Sequence, residues 1–154
     1  MAALEPILQS ELGKSERFEL VPVSGEQLRQ WTGRSALRSD EALPADLFER
    51  LCAGTGCDGV LFSQLTVYQP YPPVAVGWKF SLVECAGEKK GQILWSADEI
   101  LDSGEPGVAR GARAYYARQI RNEALLSDPT MVLYSPRQFG RYSLDNLLAT
   151  LPAR

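Results

Sequence analysis

Histidine is absent from all 154 residues. That absence removes the Ser-His-Asp and Cys-His nucleophile pairs, the HExxH metal site and imidazole acid–base catalysis. Cysteine occurs three times, an odd count that completes neither a disulfide framework nor a four-ligand zinc site. No apolar run approaches the roughly 18–20 residues of a membrane span. No charged segment, apolar core and Ala-x-Ala site mark a secretory leader. Internal repeats and low-complexity tracts are also missing. Basic residues are in the minority, 16 Lys+Arg against 19 Asp+Glu, for a net charge of −3. With a pI near 5.1, the chain lacks the basic face that nucleic-acid phosphates require.

What is present suffices for one domain. A chain of this length buries roughly 68–70% of its unfolded surface, so it needs no disulfide or metal to fold. Residues 1–154 therefore read as a single domain. The opening Met1-Ala2-Ala3 runs at once into a helical pattern, which reads as a chain trimmed at its amino terminus, with a leader or anchor upstream.

Leu4, Ile7, Leu8 and Leu12 recur at helical spacing, with Pro6 in the first turn and Gly13 as the expected stop. Arg17 to Val23 alternates and reads as a short edge strand that Pro22 terminates. Ser24 and Gln27 form a capping box for a helix that buries Leu28 and Trp31 and stops at Gly33. Residues 33–43 are polar and aperiodic, a loop. Pro44 starts the next helix, with Asp46 in its first turn and Leu47, Phe48 and Leu51 as its stripe.

From Gly59 the period becomes two. Val60–Tyr68, Ala75–Leu82 and Ile93–Ser96 read as three strands of a meander joined by two hairpins. Glu105 to about Asn122 reads as the longest helix. Ala109, Ala112, Tyr116 and Ile120 lie on one side and Arg110, Arg113, Arg118 and Arg121 on the other. Met131 to Tyr134 reads as extended. Ser135-Pro136-Arg137-Gln138 is a second capping box, before a helix carrying Leu144, Leu147, Leu148 and Leu151. The order α-β-α-α-β-β-β-α-α gives an α/β (α+β layered) domain. Its expected sheet has about four strands, mixed but mostly antiparallel, packed with helices. A crossover from Val23 to Val60 would make the first strand parallel to a later one.

Four constellations could carry chemistry. Gly54-Thr55-Gly56-Cys57-Asp58-Gly59 spells GxGxxG, but a dinucleotide site needs a strand before and a helix after, and here the order is reversed. A Gly-capped loop is the better reading; nucleotide or small-molecule binding by residues 54–59 is the alternative function. Cys52 and Cys57 flank that loop, and either a disulfide between them or two free thiols fits the spacing. Cys85 reads as a small packed hydrophobe. Three cysteines with Asp58 match no familiar zinc spacing, so no metal ligand or cofactor is assigned. Asp98, Glu99, Asp102 and Glu105 read as residues leading into a helix whose N-terminus favours negative charge, not as an acid–base pair, so no catalytic residue is assigned. Tyr68-Gln69-Pro70-Tyr71-Pro72-Pro73 is a stiff hairpin tip that offers two tyrosines. Tyr68, Tyr71 and Trp78, with Arg110, Arg113, Arg118 and Arg121, are the expected partner contacts.

The stretch from Cys57 to Asp102 carries a resemblance. Cys-Asp-Gly-Val-Leu-Phe, Leu-Thr-Val-Tyr-Gln-Pro-Tyr-Pro-Pro, Val-Gly-Trp-Lys-Phe-Ser-Leu-Val and Ile-Leu-Trp-Ser-Ala-Asp-Glu resemble bacterial envelope lipoproteins with a domain like the TolB amino-terminal domain. The curli-secretion lipoproteins and the lipoprotein activators of penicillin-binding proteins are relatives at fold level. Asp58–Phe62 and Gln92–Trp95 match two of the group's strand patterns, and Arg17–Val21 matches a third. The group has a strand before its first helix and a lipidated cysteine behind a signal peptide, and neither is seen here. The resemblance implies a non-enzymatic protein-binding domain of the cell envelope, in the periplasm and anchored to the outer membrane. It implies an envelope-protein partner, no nucleic acid and no membrane span in this chain. Without the first strand, an open sheet edge could also pair with a second copy.

Overall fold

A computed structural model describes residues 4–38, 40–120 and 128–152. Among these, the elements are α1 (Glu5–Lys14), α2 (Gly25–Thr32), α3 (Leu47–Thr55), β1 (Gly59–Gln69), β2 (Ala75–Glu84), β3 (Ile93–Asp102), α4 (Pro106–Ile120), a 3-10 turn (Pro129–Leu133) and α5 (Pro136–Leu148). The protein is α/β, and its three strands form one antiparallel sheet in the order β1-β2-β3.

The sheet has one strand fewer than expected. Arg17–Val23 joins no ladder, and Leu20, Val21 and Val23 are exposed. Alternation makes a strand only where a neighbouring edge accepts its backbone, and Pro22 removes one donor from an already short segment. The parallel crossover expected from Val23 to Val60 is therefore absent, and the sheet is a plain meander.

Two compact units divide the chain: Met1–Phe18, Leu65–Trp78 and Glu99–Arg154 form the first, Glu19–Gln64 and Lys79–Asp98 the second. In the first unit, Leu4, Ile7, Leu8 and Leu12 bury the α1 stripe. This helix runs one residue past Gly13 to Lys14 and is capped at Ser15. In α5, Phe139, Tyr142, Leu144, Leu147 and Leu148 are buried, followed by Leu151. Ser135 caps that helix by accepting from the Gln138 N–H at 3.3 Å. The buried stripe of α4 is Ala109, Ala112 and Tyr115 rather than Tyr116. Met131–Tyr134, expected to be extended, is the end of the 3-10 turn, and Asp128 caps it through the Thr130 N–H at 2.9 Å. Gly140 lets α1 close in, since a Cβ there would meet Leu4 Cδ2 at 3.1 Å.

In the second unit the Ser24–Gln27 capping box forms in full, with bonds of 3.2 and 3.0 Å. Gly33 ends α2 in the left-handed conformation that favours glycine. Leu28 and Trp31 are half-buried. Pro44 lies before α3, which begins at Leu47 and buries Leu47 and Leu51. Phe80 and Trp95 stack from neighbouring strands, with ring centroids 5.8 Å apart. Strand β3 crosses from this unit into the first at 98/99 and holds Asp98, Glu99 and Asp102, so of the acidic run only Glu105 leads into α4.

Candidate functional site

The β1–β2 connection is the most exposed aromatic feature of the first unit. Pro70, Pro72 and Pro73 restrict its backbone, and the Pro72–Pro73 bond is cis. The Gln69 side-chain amide donates to Pro73 O at 2.7 Å and to Tyr71 O at 3.5 Å. This side chain therefore ties the tip from within, while Ser103 N–H donates to Val74 O at 2.8 Å at its base. Tyr71 is 78% exposed and Tyr68 41%. A rigid tip that shows two amphipathic rings presents contact area with little entropy left to lose.

Trp78 does not belong to that surface. It is fully buried, and its indole N–H donates to Ser143 Oγ at 2.9 Å. The central strand of a three-stranded meander is covered on both faces, as buried Val76, Gly77, Trp78 and Phe80 show. An aromatic at its middle is thus core, and the position of β2 in the meander was the signal for this.

The arginine side of α4 is divided. Arg110 and Arg118 are exposed and Arg113 is half-buried; Arg121 lies outside the described residues. Arg118 acts on Asp145 and Tyr115 electrostatically. Burial, with Glu11 and Asp145 nearby, pushes the Tyr115 phenol up to about 12. Partial desolvation raises the carboxyl of Asp145, itself an exposed residue, above its ordinary value, and the Glu11 carboxylate adds to the effect. Glu11 is buried and pairs with Lys14 at 2.8 Å. The helices α1, α4 and α5 thus share a small charged seam, which sequence periodicity does not reveal.

The glycine loop is a helix cap. Gly56 is left-handed and its N–H donates to Cys52 O at 2.8 Å, closing α3. Gly54 is inside α3, where a Cβ would strike Trp31. The C-terminal end of a helix presents carbonyls and negative partial charge, the wrong sign for a phosphate. A shallow open depression in the same unit, lined by Lys79, Phe80, Ile93 and Asp98 among others, includes none of the loop.

The cysteines gather differently from either reading of Cys52 and Cys57. Cys52 is bonded to Cys85, and Cys57 is the free thiol. Cys85 is buried as expected, but as half of a disulfide. All three sulfurs lie within 4.8 Å of one another, and Asp58 is not among them.

No family model matches the chain, and no curated protein matches it. A comparison with solved structures returns the crystal structure of lipoprotein GNA1162 from Neisseria meningitidis. It aligns with a TM-score of 0.38 and 22% sequence identity, over 71% of this chain and 77% of that one. Among the described residues, no helix is long and apolar enough to cross a membrane.

Proposed function

We propose that this chain is a non-enzymatic protein-binding domain of the bacterial cell envelope, and that the tip between β1 and β2 makes the contact. The observation that carries the proposal is Tyr71, 78% exposed on a tip that Gln69 ties down. Tyrosine is enriched where interfaces concentrate their binding energy. The absence of histidine, with no nucleophile–base pair singled out in the sequence, supports a role without catalysis. The envelope setting, periplasmic and outer-membrane-anchored, is what the resemblance to envelope lipoproteins at Asp58–Phe62 and Gln92–Trp95 implies. Arg110 and Arg118 extend the proposed contact to an acidic partner surface.

The test is a photo-crosslinking residue at position 71, made in cells that express the protein. A discrete adduct with another protein is expected at 71. It should be lost on Tyr68→Ala and absent from a control at Glu26. No adduct above that control overturns the proposal.

One observation favours a second reading, self-association through the sheet edge. Strand β3 is an edge, and Ile93 and Ile100 on it are 60% and 59% exposed. Apolar side chains on an unpaired edge invite strand addition. An adduct of twice the chain mass, and light scattering that rises with concentration, would select this reading.

A further inference from the structure

The third cysteine lies against the other two, within 4.8 Å of both sulfurs. Cys52 is near the end of α3, Cys57 lies just before β1, and Cys85 follows β2 directly. Backbone bonds fix all three positions. Gly56 N–H to Cys52 O at 2.8 Å turns the chain back at the end of α3, and Cys57 N–H meets Thr55 Oγ1 at 3.3 Å. Cys85 N–H meets Asp58 O at 2.9 Å, clamping the start of β1 to the end of β2. The result is a Cys52–Cys85 disulfide with the Cys57 sulfur 3.5 Å from that of Cys85, already at van der Waals contact.

We propose that Cys52, Cys57 and Cys85 form an intramolecular thiol–disulfide exchange site, in which Cys57 displaces Cys52 from Cys85. The Cys57 thiol gives its proton to water, and the thiolate attacks the Cys85 sulfur. A Cys57–Cys85 bond forms as the Cys52–Cys85 bond breaks. The bonding pair leaves with Cys52, which takes a proton from water. One disulfide and one thiol are present before and after, so no oxidant or reductant is consumed. The place for the displaced thiol is ready: the Cys52 sulfur lies 3.1 Å from Cys85 O and 3.3 Å from Cys57 O, two carbonyls able to accept its S–H. Cys52 and Cys57 are both half-buried, within reach of solvent, while Cys85 is buried.

Exchange changes what is tied to what. The Cys52–Cys85 bond spans 33 residues and fastens α3 to the end of β2. The Cys57–Cys85 bond would span 28 residues, joining two strands that are already hydrogen-bonded neighbours and leaving α3 without a covalent link. Cys85 is the constant member, and the other two alternate.

The experiment uses the full chain, purified without reductant and exposed to iodoacetamide for increasing times before denaturation, acid quench and peptide mapping. Because alkylation traps each isomer, label is expected on Cys57 in some molecules and on Cys52 in others, with Cys85 always disulfide-bonded. Label confined to Cys57 at every time point overturns the proposal, and so does label on Cys85. Cys52→Ser is expected to oxidise to a Cys57–Cys85 bond, a loss of two mass units; two free thiols in that variant overturn the proposal whether or not it folds as the parent does, since the wild-type map is decided separately. Native mass spectrometry adds one outcome, since a retained zinc ion with three unoxidised cysteines would make this a metal site and overturn exchange.

Discussion

The Trp78 indole N–H donates to Ser143 Oγ at 2.9 Å, and that hydroxyl donates onward to Gly140 O at 2.7 Å. All of this occurs where Trp78 and Ser143 are fully buried. A serine in the apolar stripe of α5 is therefore the partner that lets a tryptophan occupy the core. Ser143→Ala strands a buried N–H donor, which costs about 1–3 kcal/mol. Urea unfolding should show a lower midpoint at unchanged slope. Trp78→Phe in the Ser143→Ala background should cost less than the sum of the two changes.

Two glycines should respond to alanine with opposite signs. A Cβ on Gly77 would lie 2.6 Å from Thr66 Oγ1 and 3.0 Å from both Ile100 and Val67 side chains. Gly77→Ala should destabilise by about 1–3 kcal/mol, as overpacking does. Gly13 sits within α1 with nothing inside 4 Å of the added carbon. Gly13→Ala should stabilise by about 0.4–1 kcal/mol, because the unfolded chain loses freedom and the helix gains a better former. Thermal unfolding of the two variants side by side checks both signs.

Asp145 should weaken the fold at neutral pH. Its carboxyl is raised above its ordinary value by partial desolvation and, secondarily, by Glu11, with Arg118 and Lys14 opposing. A carboxyl whose folded pKa is raised binds protons more readily in the folded state. Stability from this group is therefore lost as pH rises from the ordinary carboxylate value through the folded value. Asp145→Asn should raise the Tm at pH 7, and the gain should shrink as pH falls towards 3. A variant with equal gains at both pH values would assign the effect to packing instead.

Tyr71→Ala and Tyr68→Ala should separate binding from folding. Both rings are exposed, so each change should move stability by no more than about 0.5 kcal/mol. The adduct formed from position 71 should nevertheless disappear on Tyr68→Ala, and one formed from position 68 on Tyr71→Ala. Circular dichroism on the same preparations distinguishes a lost contact from a lost fold.

Periodicity and caps made the helices legible. Leu4, Ile7, Leu8 and Leu12 stand at helical spacing and are buried, and Ser24 with Gln27 forms the box that their spacing announces. The meander from Gly59 was equally readable, since its alternation is long and its turns carry glycine and proline. Arg17–Val23 shows the limit: alternation describes a side-chain pattern, whereas a strand also needs a partner, and none is supplied locally. Tyr115 and Tyr116 show another, because both stand at helical spacing from Ala112 and only packing against α5, where Tyr115 meets the Tyr142 ring at 5.8 Å, selects the first. The pairing of Cys52 with Cys85 depends on an approach across 33 residues, about which spacing between neighbours is silent. Of the proposed contacts, the tyrosines of the tip are legible from their prolines, whereas Trp78 stands near the same hairpin but on a central strand covered on both faces.

The division between the two compact units falls inside each of the three strands, at 64/65, 78/79 and 98/99, and once more at 18/19. The backbone therefore passes from one unit to the other four times. Neither unit corresponds to an unbroken stretch of gene. A deletion mutant that removes one must also cut the strands of the other, and a fragment library screened for autonomous folding should return neither alone. Joining two ready-made modules end to end does not produce this chain order.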